Sequence, residues 1–295
     1  MMNELNLSGL GVALVTPFNR EGDVDYARLQ QLVDDVIQNK ADYVVALGTT
    51  SESPTLTQEE KHKVVRTVVN AVAGRVPIVM GCGGPSTRVV VDKLTHADLS
   101  GISAILSVTP YYNRPSQEGL KEHYKEIAYR SPLPIILYNV WKRTSCNIEA
   151  DTTLFLANEY DNIIGIKEAS GNMNQIMKVI KHRPKGFWVI SGDDAITLPL
   201  LAVGVDGLIS VVANAFPAEV SQMVHLGLNN RFPEARLIHE KLLDVTQACF
   251  KEGNPAGIKA VLTLQEKLEY YLRLPLVRVS EEHQQYIKNL MENFK

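Results

Sequence analysis

The chain of 295 residues is 45% hydrophobic, enough for one large core, and its 30 basic and 33 acidic side chains leave a formal net charge of −3. Balanced charge argues against a nucleic-acid footprint, and no stretch approaches the roughly 18 consecutive apolar residues of a membrane span. Cys82, Cys146 and Cys249 are isolated and odd in number, and the seven histidines include no HExxH pair, so neither a disulfide framework nor a metal site nor a cofactor is expected.

At the amino terminus, "MMNELNLSGLGVALVTPF" lacks a basic region leading into an apolar run and a small-residue cleavage site, which predicts a soluble, cytoplasmic protein. Short apolar, β-branched runs then recur in chain order: "GVALVTP" from Gly11, "YVVALG" from Tyr43, "PIVMG" from Pro77 and "AILSV" from Ala104. "PIILYN" from Pro134, "IIGIK" from Ile163, "FWVIS" from Phe187 and "GLISVV" from Gly207 complete the set. Amphipathic stretches lie between them. In "TQEEKHKVVRTVVNAVAG", Thr57 and Glu60 fit a capping box, and Val64, Val65, Val68, Val69 and Val72 keep helical spacing. Strand followed by helix, eight times over, predicts an α/β fold with a parallel sheet, and eight is the count of a closed (β/α)8 TIM barrel. An open doubly wound sheet would carry a glycine fingerprint after its first strand, and "TPFNREGD" is none. After about residue 216 helical patterns follow one another: "FPEARLIHEKLLDVTQACFK", "NPAGIKAVLTLQEKLEYYL" and the Ser280-capped "SEEHQQYIKNLMENF". These predict a small C-terminal helical domain, with the barrel assigned to residues 1–225 and the helical domain to 226–295.

In such a barrel, function sits at the carboxyl ends of the strands. Thr49 and Thr50 follow strand two, Tyr111 and Tyr112 strand four, Tyr138 ends strand five, Lys167 ends strand six, and Gly192, Asp193 and Asp194 follow strand seven. A lysine placed there is suited to attack a ketone, because desolvation favours the neutral amine; a structural partnership with a carboxylate is the alternative. Glu168 is its neighbour in sequence, yet alternation along a strand turns that carboxylate to the opposite face. Tyrosine hydroxyls, protonated near neutral pH, are suited to carrying protons for imine and enamine chemistry. Tyr138 shares a face with Ile136, so a core role competes with a catalytic one. "GTTSES" offers hydroxyls and successive N–H groups to a small carboxylate, or is only a capping turn. The acids of "GDDAITLPLL" are read as helix caps in preference to metal ligands. Arg143 in "NVWKRTSCN" is a loop arginine that either grips a carboxylate or faces solvent.

Taken together, "GTTSESPTLT", "VTPYYNRPSQEGL", "ILYN", "IIGIKEASGN", "SGDDAITLPL", "GLISVVANAFP" and "LRLPL" resemble the dihydrodipicolinate synthase branch of the pyruvate-dependent class I aldolase superfamily, collinearly from residue 10 to about 276. The resemblance implies a Schiff base between Lys167 and pyruvate, addition of the enamine to the aldehyde of L-aspartate 4-semialdehyde, and cyclisation, in lysine and diaminopimelate biosynthesis. It further implies that Tyr138 donates and accepts protons, relaying with Thr49 and with Tyr112, which reaches into a neighbouring subunit's site. Thr50 would hold the pyruvate carboxylate, Ile209 would line the pyruvate pocket with Gly192 at the same mouth, and Arg143 would receive the semialdehyde carboxylate. A homotetramer built from two dimers is also implied.

The chain departs from the family at Ser51, Trp141 and Ser145, where glycine, proline and glycine are usual. The change at Trp141 is expected to reshape the loop presenting Arg143. Where lysine-inhibited members offer an imidazole, an asparagine and a carboxylate, this chain has Lys61, Pro85 and Val89, so inhibition by L-lysine is expected to be weak or absent. Two other functions fit the same residues: another aldolase of the superfamily, such as N-acetylneuraminate lyase or a sugar-acid aldolase, and a catalytically silent paralogue that binds a small keto acid.

Overall fold

A computed structural model describes residues 5–292 and 294. Its strands are β1 (Gly9–Ala13), β2 (Tyr43–Ala46), β3 (Ile78–Gly81), β4 (Ala104–Val108), β5 (Ile135–Asn139), β6 (Ile163–Glu168), β7 (Trp188–Ser191) and β8 (Gly207–Ser210). They pair in chain order and close into a barrel, with β1 running parallel to β8. Nearly every strand residue is buried, which explains why these segments read as continuous apolar runs: one face fills the barrel and the other meets the helices.

The inner layer includes Tyr43, Val45, Val79, Leu106, Ile136, Tyr138, Ile190 and Ile209. Tyr43 is its largest fully buried side chain, and a Cβ on Gly11 would come within 2.2 Å of that ring. Glycine is therefore required at this close approach, because the tyrosine occupies the volume a side chain would need.

Around the barrel lie α1 (Tyr26–Gln38), α2 (Gln58–Val72), α3 (Thr87–His96), α4 (Gln117–Arg130), α5 (Trp141–Thr144), α6 (Ala150–Glu159) and α7 (Met173–His182). Beyond them come α8 (Thr197–Ala202), α9 (Pro217–Leu228), α10 (Phe232–Lys251), α11 (Ala256–Leu264) and α12 (Glu281–Glu292). The expected division between residues 225 and 226 falls inside α9, which continues to Leu228. The helical pattern expected over residues 254–272 also ends early. Glu266 takes a left-handed backbone at φ 59°, Lys267 N–H donates back to the Leu262 carbonyl, and the chain turns away from the helix axis. Among the described residues, no helix is long and apolar enough to cross a membrane.

The capping box of α2 forms as its residue types require: Thr57 Oγ1 accepts from Glu60 N, and the Glu60 carboxylate accepts from Thr57 N. That carboxylate also receives both terminal nitrogens of Arg273, at 2.8 and 2.5 Å. The Arg273 hydrogen bonds, followed by the backbone bond from Thr57, hold Glu60 at about 2, below the ordinary 4.5. A carboxylate held lower in the folded than in the unfolded state adds stability above its unfolded value and loses it as pH falls toward the folded one. Melting temperature is thus expected to fall between pH 5 and pH 2 more steeply for the parent than for Glu60→Gln, and parallel curves would exclude this linkage.

Candidate active site

Lys167 owes its position to an irregularity in the sheet. Ile135 pairs with Ile163 but Ile136 pairs with Gly165, so β5 and β6 shift by one residue and Tyr138 comes directly opposite Lys167. Without that bulge Tyr138 would stand beside Ile166, and the amine would pass to the outer face with Asn139. The lysine is 5% exposed and the tyrosine 7%, with Nζ 4.5 Å from the centroid of the Tyr138 ring. Among the described residues Lys167 forms no ion pair, so its amine is not committed to a structural carboxylate.

Glu168 turns to the opposite face, as alternation requires. Its carboxylate accepts from Asn139 Nδ2 at 3.0 and 3.1 Å, Gln175 Nε2 at 3.0 Å and Ser170 N at 2.9 Å. Burial raises its pKa, and the hydrogen bonds from Ser170, Asn139 and Gln175 oppose that rise. The result is a fixed joint between the ends of β5 and β6, one residue from the amine. Gly192 completes the lysine's surroundings: a Cβ there would lie 2.8 Å from Lys167 Cε, so the absent side chain is what gives the lysine chain its path. Its N–H donates to the Glu168 carbonyl at 2.8 Å.

Thr49, Thr50 and Ser51 form a single 3-10 turn after β2. Ser51 Oγ donates to the Gly48 carbonyl at 2.7 Å, and Thr16 Oγ1 donates to the Ser51 carbonyl at 2.7 Å. The Ser51 hydroxyl is thus used inside the turn. Asn254 Nδ2 donates to Thr50 Oγ1 at 3.0 Å, while its backbone carbonyl accepts from Arg143 Nη2 at 3.3 Å. One residue of the C-terminal region therefore joins the threonine turn to the arginine. The residue pattern gave no sign of this, because "NPAGIK" reads only as the start of a helix.

Arg143 rides on the single turn of α5, whose first residue is Trp141. Proline suits that first helical position because its fixed φ matches the helix and its N–H is not needed. Trp141 instead ties this turn to the segment after the neighbouring β6: Nε1 donates to the Ser170 carbonyl at 3.0 Å. The turn ends at Ser145, in a left-handed conformation at φ 54°. That angle favours glycine, and serine costs on the order of 1 kcal/mol there.

Tyr112 does not join the cluster within the chain. It is 94% exposed, at φ 73° in the loop after β4, and no hydrogen bond among the described residues links it to Tyr138 or Thr49. Ile209 is fully buried in the inner layer beneath the mouth. The two acids after β7 divide their roles. Asp193 caps the following turn by accepting from Ala195 N at 3.2 Å, as expected. Asp194 is not a cap: it is buried and accepts from Ser210 Oγ, from Val211 N at 3.1 Å and from Val212 N at 3.3 Å, which fastens the end of β8. Among the described residues no cluster of His, Cys, Asp and Glu is arranged to hold a metal.

Two open surface clefts, of about 420 and 510 Å³, lie at the other end of the barrel beside Trp188 and His225. They bring together none of the residues above. The chemistry available at the strand ends is that of a sheltered amine next to a phenol, together with a hydroxyl-bearing turn and a guanidinium joined through Asn254.

Comparison with known proteins gives a consistent result. The model of the dihydrodipicolinate synthetase family matches residues 6–294. The 4-hydroxy-tetrahydrodipicolinate synthase of Parabacteroides distasonis is 53% identical over 276 residues, covering 94% of this chain and 93% of that protein. That of Azobacteroides pseudotrichonymphae is 49% identical over 294 residues, 100% of this chain and 99% of that one. Among solved structures, the dihydrodipicolinate synthase of Aquifex aeolicus superposes with a TM-score of 0.94 at 40% identity, covering 97% of this chain and 98% of that chain.

Proposed function

The chain belongs to the dihydrodipicolinate synthetase family, and from that membership we infer that it is a 4-hydroxy-tetrahydrodipicolinate synthase whose Schiff-base amine is Lys167. The activity joins pyruvate to L-aspartate 4-semialdehyde. The observation that carries the assignment of the amine is the buried Lys167, without an ion pair among the described residues, lying opposite Tyr138 through the bulge at Ile164 of β6.

In this reading the neutral Nζ adds to the pyruvate ketone, and loss of water leaves an imine on Lys167. Removal of a methyl proton gives the enamine, whose carbon adds to the aldehyde of the semialdehyde. The substrate's own amine then attacks the imine carbon, which closes the ring and frees the lysine. Tyr138 stands where a hydroxyl would carry those protons. Thr49 and Tyr112 would extend the proton path, the latter from an adjacent copy, which accords with a large aromatic held exposed on a left-handed backbone. Thr50 would hold the pyruvate carboxylate, with the Ile209 backbone lining the pocket floor. Arg143, tethered to Asn254, would bind the semialdehyde carboxylate in forked fashion. A cytoplasmic homo-oligomer, a tetramer of two dimers, belongs to the same reading.

The test is borohydride reduction in the presence of pyruvate followed by peptide mapping, which is expected to place one added pyruvyl mass on Lys167. A silent keto-acid binder would gain no mass. An assay comparing aspartate semialdehyde with sugar-derived aldehydes separates the synthase from a sugar-acid aldolase. In Arg143→Ala, KM for the semialdehyde is expected to rise about 10–100-fold while pyruvate trapping persists.

A further inference from the structure

Several buried charges that the reaction leaves unused gather between α11 and the Thr49–Ser51 turn. The side chains of Lys259 and Glu52 are both 0% exposed, with Nζ 2.5 Å from Oε1. The ammonium also donates to the Tyr271 carbonyl at 3.0 Å and lies 4.3 Å from the centroid of the Phe18 ring. The second oxygen of Glu52 accepts from the Arg273 backbone N–H at 3.1 Å, while the Arg273 guanidinium is taken up by Glu60. The Lys259 ammonium and both oxygens of Glu52 are thus bound within the protein, away from water.

Glu52 caps the threonine turn, directly after Ser51. Its N–H donates to the Thr49 carbonyl at 3.2 Å, and its backbone is left-handed at φ 55°, a conformation that a residue with a Cβ holds only when its surroundings impose it. A buried ion pair is poor evidence of stability by itself, since apolar residues of equal volume often serve as well. What it supplies is direction: a carboxylate anchored at both oxygens dictates where its own backbone sits, and Thr50 is two residues away.

We propose that Lys259 is a positioning residue for the keto-acid end of the site, fixing the Thr49–Ser51 turn through Glu52 so that Thr50 meets the carboxylate of pyruvate. This rests on the assignment of Thr50 given above. Asn254, held by the same C-terminal region, acts on that turn in parallel through the Thr50 hydroxyl. Burial brings Lys259 down to about 8, with the attraction of Glu52 opposing and the neighbouring Arg273 charge assisting. Neutralising Glu52 therefore lets Lys259 shed its proton, and both halves of the clamp relax together.

The experiment compares Glu52→Gln, Lys259→Met and the double variant with the parent, in the full chain. Three quantities are read: the pyruvate concentration giving half-maximal borohydride trapping on Lys167, KM for the semialdehyde, and the melting temperature. The pyruvate value is expected to rise about tenfold or more, given how steeply catalysis responds to small misplacements, with KM for the semialdehyde little changed. The double variant, which buries no charge, is expected to recover melting temperature without recovering pyruvate affinity. Parental pyruvate values in any variant that folds would overturn the proposal. So would failure of all three to fold, because the pair would then be a condition of the fold and not a device of the site. Absence of trapping in the parent would instead refute the assignment of Lys167, a separate result.

Discussion

Lys167→Ala is expected to lower turnover by about 10⁴-fold or more, because no other amine stands where the ketone carbon must be attacked and covalent catalysis has no substitute in the site. The same variant is expected to keep its fold. Lys167 makes no ion pair among the described residues, and its backbone is fixed by the joint at Glu168, whose partners Asn139, Ser170 and Gln175 are untouched. Turnover and borohydride trapping should vanish together while the melting temperature stays within a few degrees of the parent, the range of a modest change in stability. Retained turnover would place the chemistry elsewhere.

Tyr138→Phe is expected to be the second most damaging change, at about 10²–10⁴-fold in kcat, the usual scale for a positioned acid or base. Its signature should differ from that of the lysine variant. Phenylalanine keeps the ring that packs beside Nζ and removes only the hydroxyl, so the amine remains in place and able to condense. Pyruvate adduct should still be found by mass spectrometry after longer incubation, with KM for pyruvate near the parental value. A loss of kcat below about tenfold would show that protons travel by another route, for which the loop hydroxyls are the first candidates.

These two residues illustrate what a residue pattern can reveal. Strand ends are legible because a parallel barrel buries both faces, so "PIILYN" and "IIGIK" announce β5 and β6 within a residue of their observed limits. Helix α10 begins and ends where its apolar spacing starts and stops. Glu168 facing away from Lys167 follows from alternation alone. The bulge that brings Tyr138 opposite Lys167 was not legible, since nothing in "IIGIKE" states which partner residue is skipped. The early stop of α11 was missed because a glutamate, not a glycine, takes the left-handed position at residue 266. Asn254 and the pairing of Lys259 with Glu52 stayed hidden for a different reason: they join segments about 200 residues apart, and periodicity carries no information at that range. Asp194 likewise declared itself only through the backbone it meets at β8.

The closing of the barrel between β1 and β8 has a cost during synthesis. Residues 9–13 emerge early, and their partners at 207–210 leave the ribosome only after nearly the whole sheet has been made, roughly 10–40 s later at ordinary elongation rates. Through that interval the nascent chain carries two unsatisfied edges, each a template for pairing with another molecule. Whatever shields those edges during translation, chaperones or a lower growth temperature among them, is therefore expected to raise the yield of folded protein.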